Sequence, residues 1–272
     1  MIRKFCLVLI SVVVLNATSF NQKIANIIGF GEFNENRGLI EHIFSNKAEY
    51  IKNGSLNYVA VMEKLKNNGL LKVGLKVPKN VSITFLISHD PVKSMKIVSD
   101  SLKALGYYHY FTKELIYDDN KNLTWTINLK TGAAIDPLML SKKLAANNCQ
   151  FDDIRNEGYT KWVYSIDTSN STLSKAKKLI VGEKVDFRKP LKPYLIKIDR
   201  ASSLSVTSRP GNQWFPQIVF YDSRLNILEI VKEDNKQSSF ELEIPEETSY
   251  IKIDDIYTLA NIKRGLSVMI KE

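Results

Sequence analysis
The chain has 272 residues, 44% of them hydrophobic and 10% aromatic, with 38 Lys and Arg against 29 Asp and Glu and a formal charge of +9. That length and apolar share suit two modest domains with ordinary packed cores. They exclude an acidic disordered chain, a disulfide-stapled miniprotein and a polytopic membrane protein. The charge is not a nucleic-acid signature either: only eight of the 38 basic residues are Arg, the planar fork that reads phosphates and bases.

Residues 1–19 read as a signal peptide. Arg3 and Lys4 form a positive start, Phe5 to Leu15 is an unbroken apolar run, and Ala17-Thr18-Ser19 supplies small residues for cleavage. The run is too short for a bilayer span, which needs about 20 residues. An uncleaved anchor is the rival reading. Cleavage leaves Cys149 as the one remaining thiol of two, expected to be buried and inert. Export makes the expected location periplasmic, with no integral membrane span after cleavage and no nucleic-acid partner.

Residues 20–70 are expected to hold a flexible segment and a helical hairpin. Residues 21–36 are Asn- and Gly-rich, and Leu39–Lys52 and Leu56–Lys66 read as two helices. The first lines up Ile40, Ile43, Phe44, Ala48 and Ile51; the second takes Ser55 as cap and stops at Asn68-Gly69.

From Leu71 the period changes to two. Leu71, Val73, Leu75 and Val77 alternate with polar residues, and after Pro78 so do Val81, Ile83, Phe85 and Ile87. Asp90-Pro91 opens a helix with Asp as cap, and Gly106 ends it. Tyr107–Tyr117 and Leu123–Thr131 read as strands, Asp136-Pro137 opens a second helix, and Cys149–Ile154, extended by Tyr159–Ile166, returns as a strand. The order β-α-β-β-α-β over residues 71–170 predicts a ferredoxin-like α+β domain, a four-stranded antiparallel sheet with two helices on one face.

With its signal and segments such as Ser99-Asp100-Ser101-Leu102-Lys103-Ala104-Leu105-Gly106-Tyr107, this region resembles the SPOR family of cell-wall-binding domains. The resemblance implies binding of septal peptidoglycan glycan strands on the exposed face of the sheet. The chain departs from that family where the first strand usually runs into Gly-small-Phe; here Ile87-Ser88-His89-Asp90 stands instead. In its Lys, Asn and Ile usage the whole chain is also similar to exported proteins of unassigned function from AT-rich Gram-negative bacteria.

Residues 171–193, with a net charge of +5, read as a basic linker. Over 194–272, seven short apolar runs at about ten-residue spacing, separated by turns such as Arg209-Pro210-Gly211-Asn212, predict a small β-sandwich domain. This pattern resembles jelly-roll carbohydrate-binding and pre-peptidase-type accessory domains.

Catalytic, cofactor and metal motifs are missing from the sequence. No His-Glu-x-x-His, Cys-x-x-Cys, EF-hand, Gly-x-Ser-x-Gly or phosphate-loop spacing occurs, so no catalytic residues, cofactor or metal are expected. The adjacent acidic pairs Asp118-Asp119, Asp152-Asp153 and Asp254-Asp255 read as turn chemistry. The aromatics offer candidate ligand-stacking residues: Tyr108, Tyr110 and Trp125 in the first domain, Trp214 and Tyr221 in the second. Arg209, Asn212 and Gln213 are the candidate polar contacts beside Trp214. The leading expectation is a non-catalytic periplasmic binding or scaffold protein contacting peptidoglycan or another glycan. The alternatives are a structural subunit of an envelope assembly, such as a secretion or motor complex, and an envelope hydrolase without a recognisable motif.

Overall fold
The computed structural model describes residues 20–52, 54–118 and 122–272. The signal-peptide reading of residues 1–19 and the Asp119 half of one acidic pair lie outside them. The fold is mixed α+β, with several sheets and few helices. It divides into two compact units, one ending at Thr172 and the other running from Leu173 to Glu272. No helix among the described residues is long and apolar enough to cross a membrane.

The first unit begins with helix where the sequence reading expected flexibility. Residues 20–28 form α1, followed by α2 (Phe30–Glu35) and α3 (Arg37–Ile43). The cause is apolar side chains at helical spacing among the Asn residues: Phe20, Ile24, Ile27, Ile28, Phe33 and Ile40 are all buried. Phe20, Phe44 and Tyr50 interlock edge to face, with Phe44 and Tyr50 centroids 4.8 Å apart. The expected Leu39–Lys52 helix ends early. A 3-10 turn (Lys47–Tyr50) follows it and leads into a hairpin of β1 (Ile51–Lys52) and β2 (Ser55–Leu56). Ser55 is consumed by that hairpin, so the cap of α4 (Tyr58–Asn67) passes to Asn57, whose side chain accepts from Ala60 N at 3.2 Å.

A five-stranded sheet follows. Its elements are β3 (Gly74–Ile87), α5 (Pro91–Ala104), β4 (Phe111–Tyr117), β5 (Leu123–Ala133), α6 (Pro137–Ala145), β6 (Gln150–Asn156) and β7 (Lys161–Asp167). The strand order is β4-β5-β3-β7-β6. β3 and β7 run parallel, and the other neighbours are antiparallel. This differs from the expected four-stranded antiparallel arrangement. Residues 156–158 make a full hairpin: Glu157 N donates to Lys161 O at 2.9 Å and Gly158 takes φ +121°. The last segment is therefore two strands, and β7 inserts between β6 and β3. Pro78, which has no N–H to give, sits where the β3–β5 register slips between Gly74 and Lys79.

The two Asp-Pro helix starts also part company. Asp136 caps α6 as expected, accepting from Leu138 N at 2.9 Å and Met139 N at 3.2 Å. Asp90 instead adopts φ 44° without a capping bond, and its carboxylate pairs with the buried Lys93 at 2.7 Å.

One face of the sheet carries the core. Val81, Ile83, Phe85 and Ile87 of β3 are buried, with Trp125 and Ile127 of β5 and Trp162, Tyr164 and Ile166 of β7. Ring contacts run from Trp162 to Tyr164, Phe85, Trp125 and Tyr110 at centroid spacings of 6.1, 5.9, 5.5 and 5.8 Å. The buried Tyr164 hydroxyl donates to Ile135 O at 2.8 Å, which offsets part of the cost of burying it.

The second unit has two sheets. Each of the seven apolar runs holds one strand: β10 (Tyr194–Lys197), β11 (Ser203–Ser208), β12 (Pro216–Tyr221), β13 (Ile227–Lys232), β14 (Ser239–Glu243), β15 (Tyr250–Asp255) and β16 (Leu266–Lys271). Two short strands, β8 (Lys177–Lys178) and β9 (Val185–Asp186), come from the segment read as a linker. The sheet orders are β13-β12-β15-β10-β8 and β14-β11-β16-β9. One core draws on both: Ile196, Ile218, Phe220 and Ile251 from the first sheet, Leu204, Val206, Val268 and Ile270 from the second. Leu179 of the former linker, 2% exposed, belongs to that core. Its apolar side chain ties the basic segment into the unit despite the surrounding lysines.

Candidate functional site
The second face of the first unit's sheet carries hydroxyl side chains on three neighbouring strands. Strand alternation that buries Val81, Ile83 and Phe85 turns Ser82, Thr84 and Leu86 to this face, where they are partly exposed. Registration places β5 and β7 residues directly beside them. Phe111, Asn128, Ser82 and Lys161 make one cross-strand row. Glu114, Thr126, Thr84, Val163 and Arg155 make the next, and Ile116, Thr124, Leu86, Ser165 and Asp153 a third.

The face is thus hydroxyl-lined at its centre and charged at its margins. Thr84 Oγ1 and Thr126 Oγ1 share a hydrogen bond of 3.0 Å. The Asn128 Oδ1 atom, buried between its neighbours, has no hydrogen-bond partner. At one end of β7, Asp167 accepts from Ser169 N at 2.9 Å and from Gln150 Nε2 at 3.4 Å. Burial works against the Asp167 carboxylate, but those hydrogen bonds outweigh it and hold its pKa below the ordinary value. Ser, Thr and Asn side chains can both donate and accept, so this surface can match a ligand rich in hydroxyls or amides.

The sequence-predicted stacking residues do not assemble. Trp125 is 1% exposed and sits on the helix side, its Nε1 donating to Thr112 Oγ1 at 3.1 Å. Trp214 is fully buried in the second unit's core, with Nε1 donating to Asp254 O at 2.9 Å. Both corrections have one physical reason: a large ring whose single N–H finds an internal acceptor gains more from burial than from exposure. Tyr110 is half-buried against Trp125, with its hydroxyl 3.0 Å from Ser99 Oγ. Tyr108 alone of that group is largely exposed. Tyr221 is half-buried on the opposite side of its strand from Ile218 and Phe220, paired across strands with Tyr250.

The predicted polar contacts serve the fold. Asn212 is 6% exposed and clamps two loops, donating to Gly265 O at 2.8 Å and accepting from Arg264 N at 2.9 Å. Arg209 pairs with Asp186 at 3.5 Å. Gln213 is exposed, and its backbone N–H donates to Asn261 O. Asp255 of the last acidic pair is buried and accepts from Phe215 N, Tyr257 N, Thr258 N and Asn261 Nδ2.

A separate cleft of about 500 Å³ lies in the first unit between Lys52, Asn57 and Tyr58 on one side and Ser141, Asn148 and Cys149 on the other. Burial, with the Asp167 charge second, pushes the Cys149 thiol up to about 11. It stays protonated at neutral pH and is a poor nucleophile. Among the described residues, no three His, Cys, Asp or Glu side chains converge on one metal position.

The hydroxyl face was missed because the sequence reading followed the aromatics. Its signal was present: Ser82 and Thr84, Thr124 and Thr126, and Ser165 recur at every second position of three apolar-alternating strands.

No protein-family model matches this chain, and no curated protein matches it. Among solved structures, it is similar to a chain in the crystal structure of accessory secretory protein 1, 2 and 3 in Streptococcus pneumoniae. That match has 21% identity over 35% of this chain and 73% of that one, with a TM-score of 0.20. A likeness at that score carries no inference about function.

Proposed function
We propose that the protein is a non-catalytic periplasmic binding or scaffold protein that holds a cell-wall glycan against the hydroxyl-lined face of its first unit. The observation that carries this reading is the cross-strand set Ser82, Thr84, Thr124, Thr126, Asn128 and Ser165, on three neighbouring strands. Adjacent strands lie about 4.8 Å apart, so the partly exposed Ser82, Thr84, Thr124 and Ser165 present spaced donors and acceptors to an extended polymer, with Thr126, 6% exposed, and the buried Asn128 Oδ1 beneath them. Lys130 and Lys161 lie at the margins, where they can meet anionic groups of a wall polymer, whereas Arg155 is paired with Asp153 at 3.7 Å.

The fold reading that goes with it is a ferredoxin-like unit enlarged by one inserted strand, followed by a jelly-roll-like sandwich. In SPOR domains, which the first unit resembles in sequence pattern, the exposed sheet face is the binding face. Periplasmic location rests on the charged and apolar pattern of residues 1–19.

The test is co-sedimentation of the purified protein with isolated peptidoglycan at low salt. The reading predicts retention, lost in Thr84→Arg, which places a long cation at the centre of the face. No retention of the wild-type protein, or equal retention of that variant, contradicts it.

A second reading, a structural subunit of an envelope assembly, is favoured by one feature. All seven residues of edge strand β4 are exposed, including Phe111 at 82%, Leu115 at 52%, Ile116 at 50% and Tyr117 at 56%. An apolar edge of that kind is a ready template for another chain.

A further inference from the structure
Among the described residues strand β4 ends the five-stranded sheet, and its outer edge offers a row of backbone groups that another extended strand can pair. Its side chains specify which strand. In register with β5, Thr112 faces Ile127 and Leu115 faces Trp125, so both point to the helix-covered side. Phe111 faces Asn128, Glu114 faces Thr126 and Ile116 faces Thr124, on the hydroxyl-lined side.

Thr112 and Leu115 are three residues apart, and in a regular strand they would point to opposite faces. They share a face because the register slips between Thr112 and Glu114, leaving Lys113 as the extra residue of a bulge. The slip makes β4 complementary to a reversed copy of itself. With a twofold axis between Lys113 and Glu114, Thr112 meets Leu115 of the second copy on one face, and Phe111 meets Ile116 on the other. At the axis, Lys113 of each copy meets Glu114 of the other, so the only charges on the strand are neutralised twice over. Without the bulge, the same register would set side chains of opposite faces against each other.

We propose that two copies of this chain associate through antiparallel pairing of their β4 strands, extending the sheet across a twofold axis. The bulge and the charged pair, which protect an edge from indiscriminate pairing, here select the identical strand. The pairing covers the apolar side chains of Phe111, Leu115 and Ile116 that stand exposed on the single chain. It is independent of the glycan reading.

Sedimentation equilibrium of the purified protein over a wide concentration range tests it, with charge reversal as the discriminating arm. The wild-type protein is expected to dimerise. Lys113→Glu or Glu114→Lys sets like charges opposite each other at both symmetry-related positions and should weaken the dimer by about tenfold or more. An equimolar mixture of the two single variants puts acids opposite bases again and should recover wild-type affinity. A wild-type chain that stays monomeric, single variants that dimerise undiminished, or a mixture that fails to recover would each overturn the proposal.

Discussion

Thr84 Oγ1 and Thr126 Oγ1 lie 3.0 Å apart on the two adjacent strands β3 and β5, joined by one hydrogen bond at the middle of the hydroxyl-lined face. Thr84 is partly exposed and its hydroxyl keeps further hydrogen-bonding capacity for a ligand laid across the rows, while Thr126, 6% exposed, holds it in place from beneath. Removing both hydroxyls together separates function from folding. In the double variant Thr84→Val with Thr126→Val, no partner is left unsatisfied, so unfolding free energy should stay within about 1 kcal/mol of wild type. Retention on peptidoglycan should fall sharply in the same variant. A urea titration and a co-sedimentation assay on one preparation measure the two effects.

Trp214 gives the opposite pattern. Its ring is in the core of the second unit and its N–H is taken by Asp254 O. Trp214→Ala should therefore destabilise that unit by about 3–5 kcal/mol, the range for removing a large buried aromatic. Urea unfolding followed by far-UV circular dichroism checks this. Normal stability with lost ligand binding would instead make Trp214 a contact residue.

Gly265 tests how the second unit closes. Its φ of +89° disfavours any side chain, and a Cβ there would overlap the Phe187 carbonyl oxygen. Phe187 N donates to Leu266 O beside it, so the backbone has little room to yield. Gly265→Ala should cost about 2 kcal/mol or more, from strain and overlap together, read as a lowered thermal midpoint.

Stability should decline on the alkaline side. Burial raises the Cys149 thiol from 9.0 to about 11 and the Tyr194 phenol from 10.0 to about 12. Tyr58 is raised further, by burial first and then by Asp153 and Asp152. For such groups the folded state holds protons that the unfolded chain has already released. Their contribution is therefore complete below the unfolded values and is lost as pH rises toward the folded ones. The urea midpoint should fall progressively from pH 9 towards 11, and Cys149 should react with thiol reagents at neutral pH only after unfolding.

Much of the strand content was legible because it depends on period alone. Val81, Ile83, Phe85 and Ile87 mark one face of β3 in the sequence, and the structure buries all four. The complementary residues Ser82 and Thr84 were equally visible, yet their meaning depends on which strands lie alongside, which is a matter of pairing and not of period. Residues 20–36 misled for a compositional reason. Asn is the commonest residue there and Gly punctuates it, but Ile and Phe are as frequent as those two together, and Phe20, Ile24, Ile27 and Phe33 set the burial. The fate of Trp214 was illegible, since a tryptophan after a Pro-Gly turn has the same local sequence whether it points in or out. Asp90 and Asp136 share a motif but differ in structure because Lys93 lies close enough to take the Asp90 carboxylate. The inserted strand β7 turned on whether residues 156–158 bend the chain back fully, a question of three backbone conformations.

The central claim is that the hydroxyl-lined face is where a wall glycan binds. Backbone hydrogen exchange of the purified protein, with and without soluble peptidoglycan fragments, tests it most directly. The account predicts added protection in β3, β5 and β7, centred on Thr84, Thr126 and Ser165, with the second unit unchanged. Protection confined to the second unit, or none at saturating fragment, would contradict it.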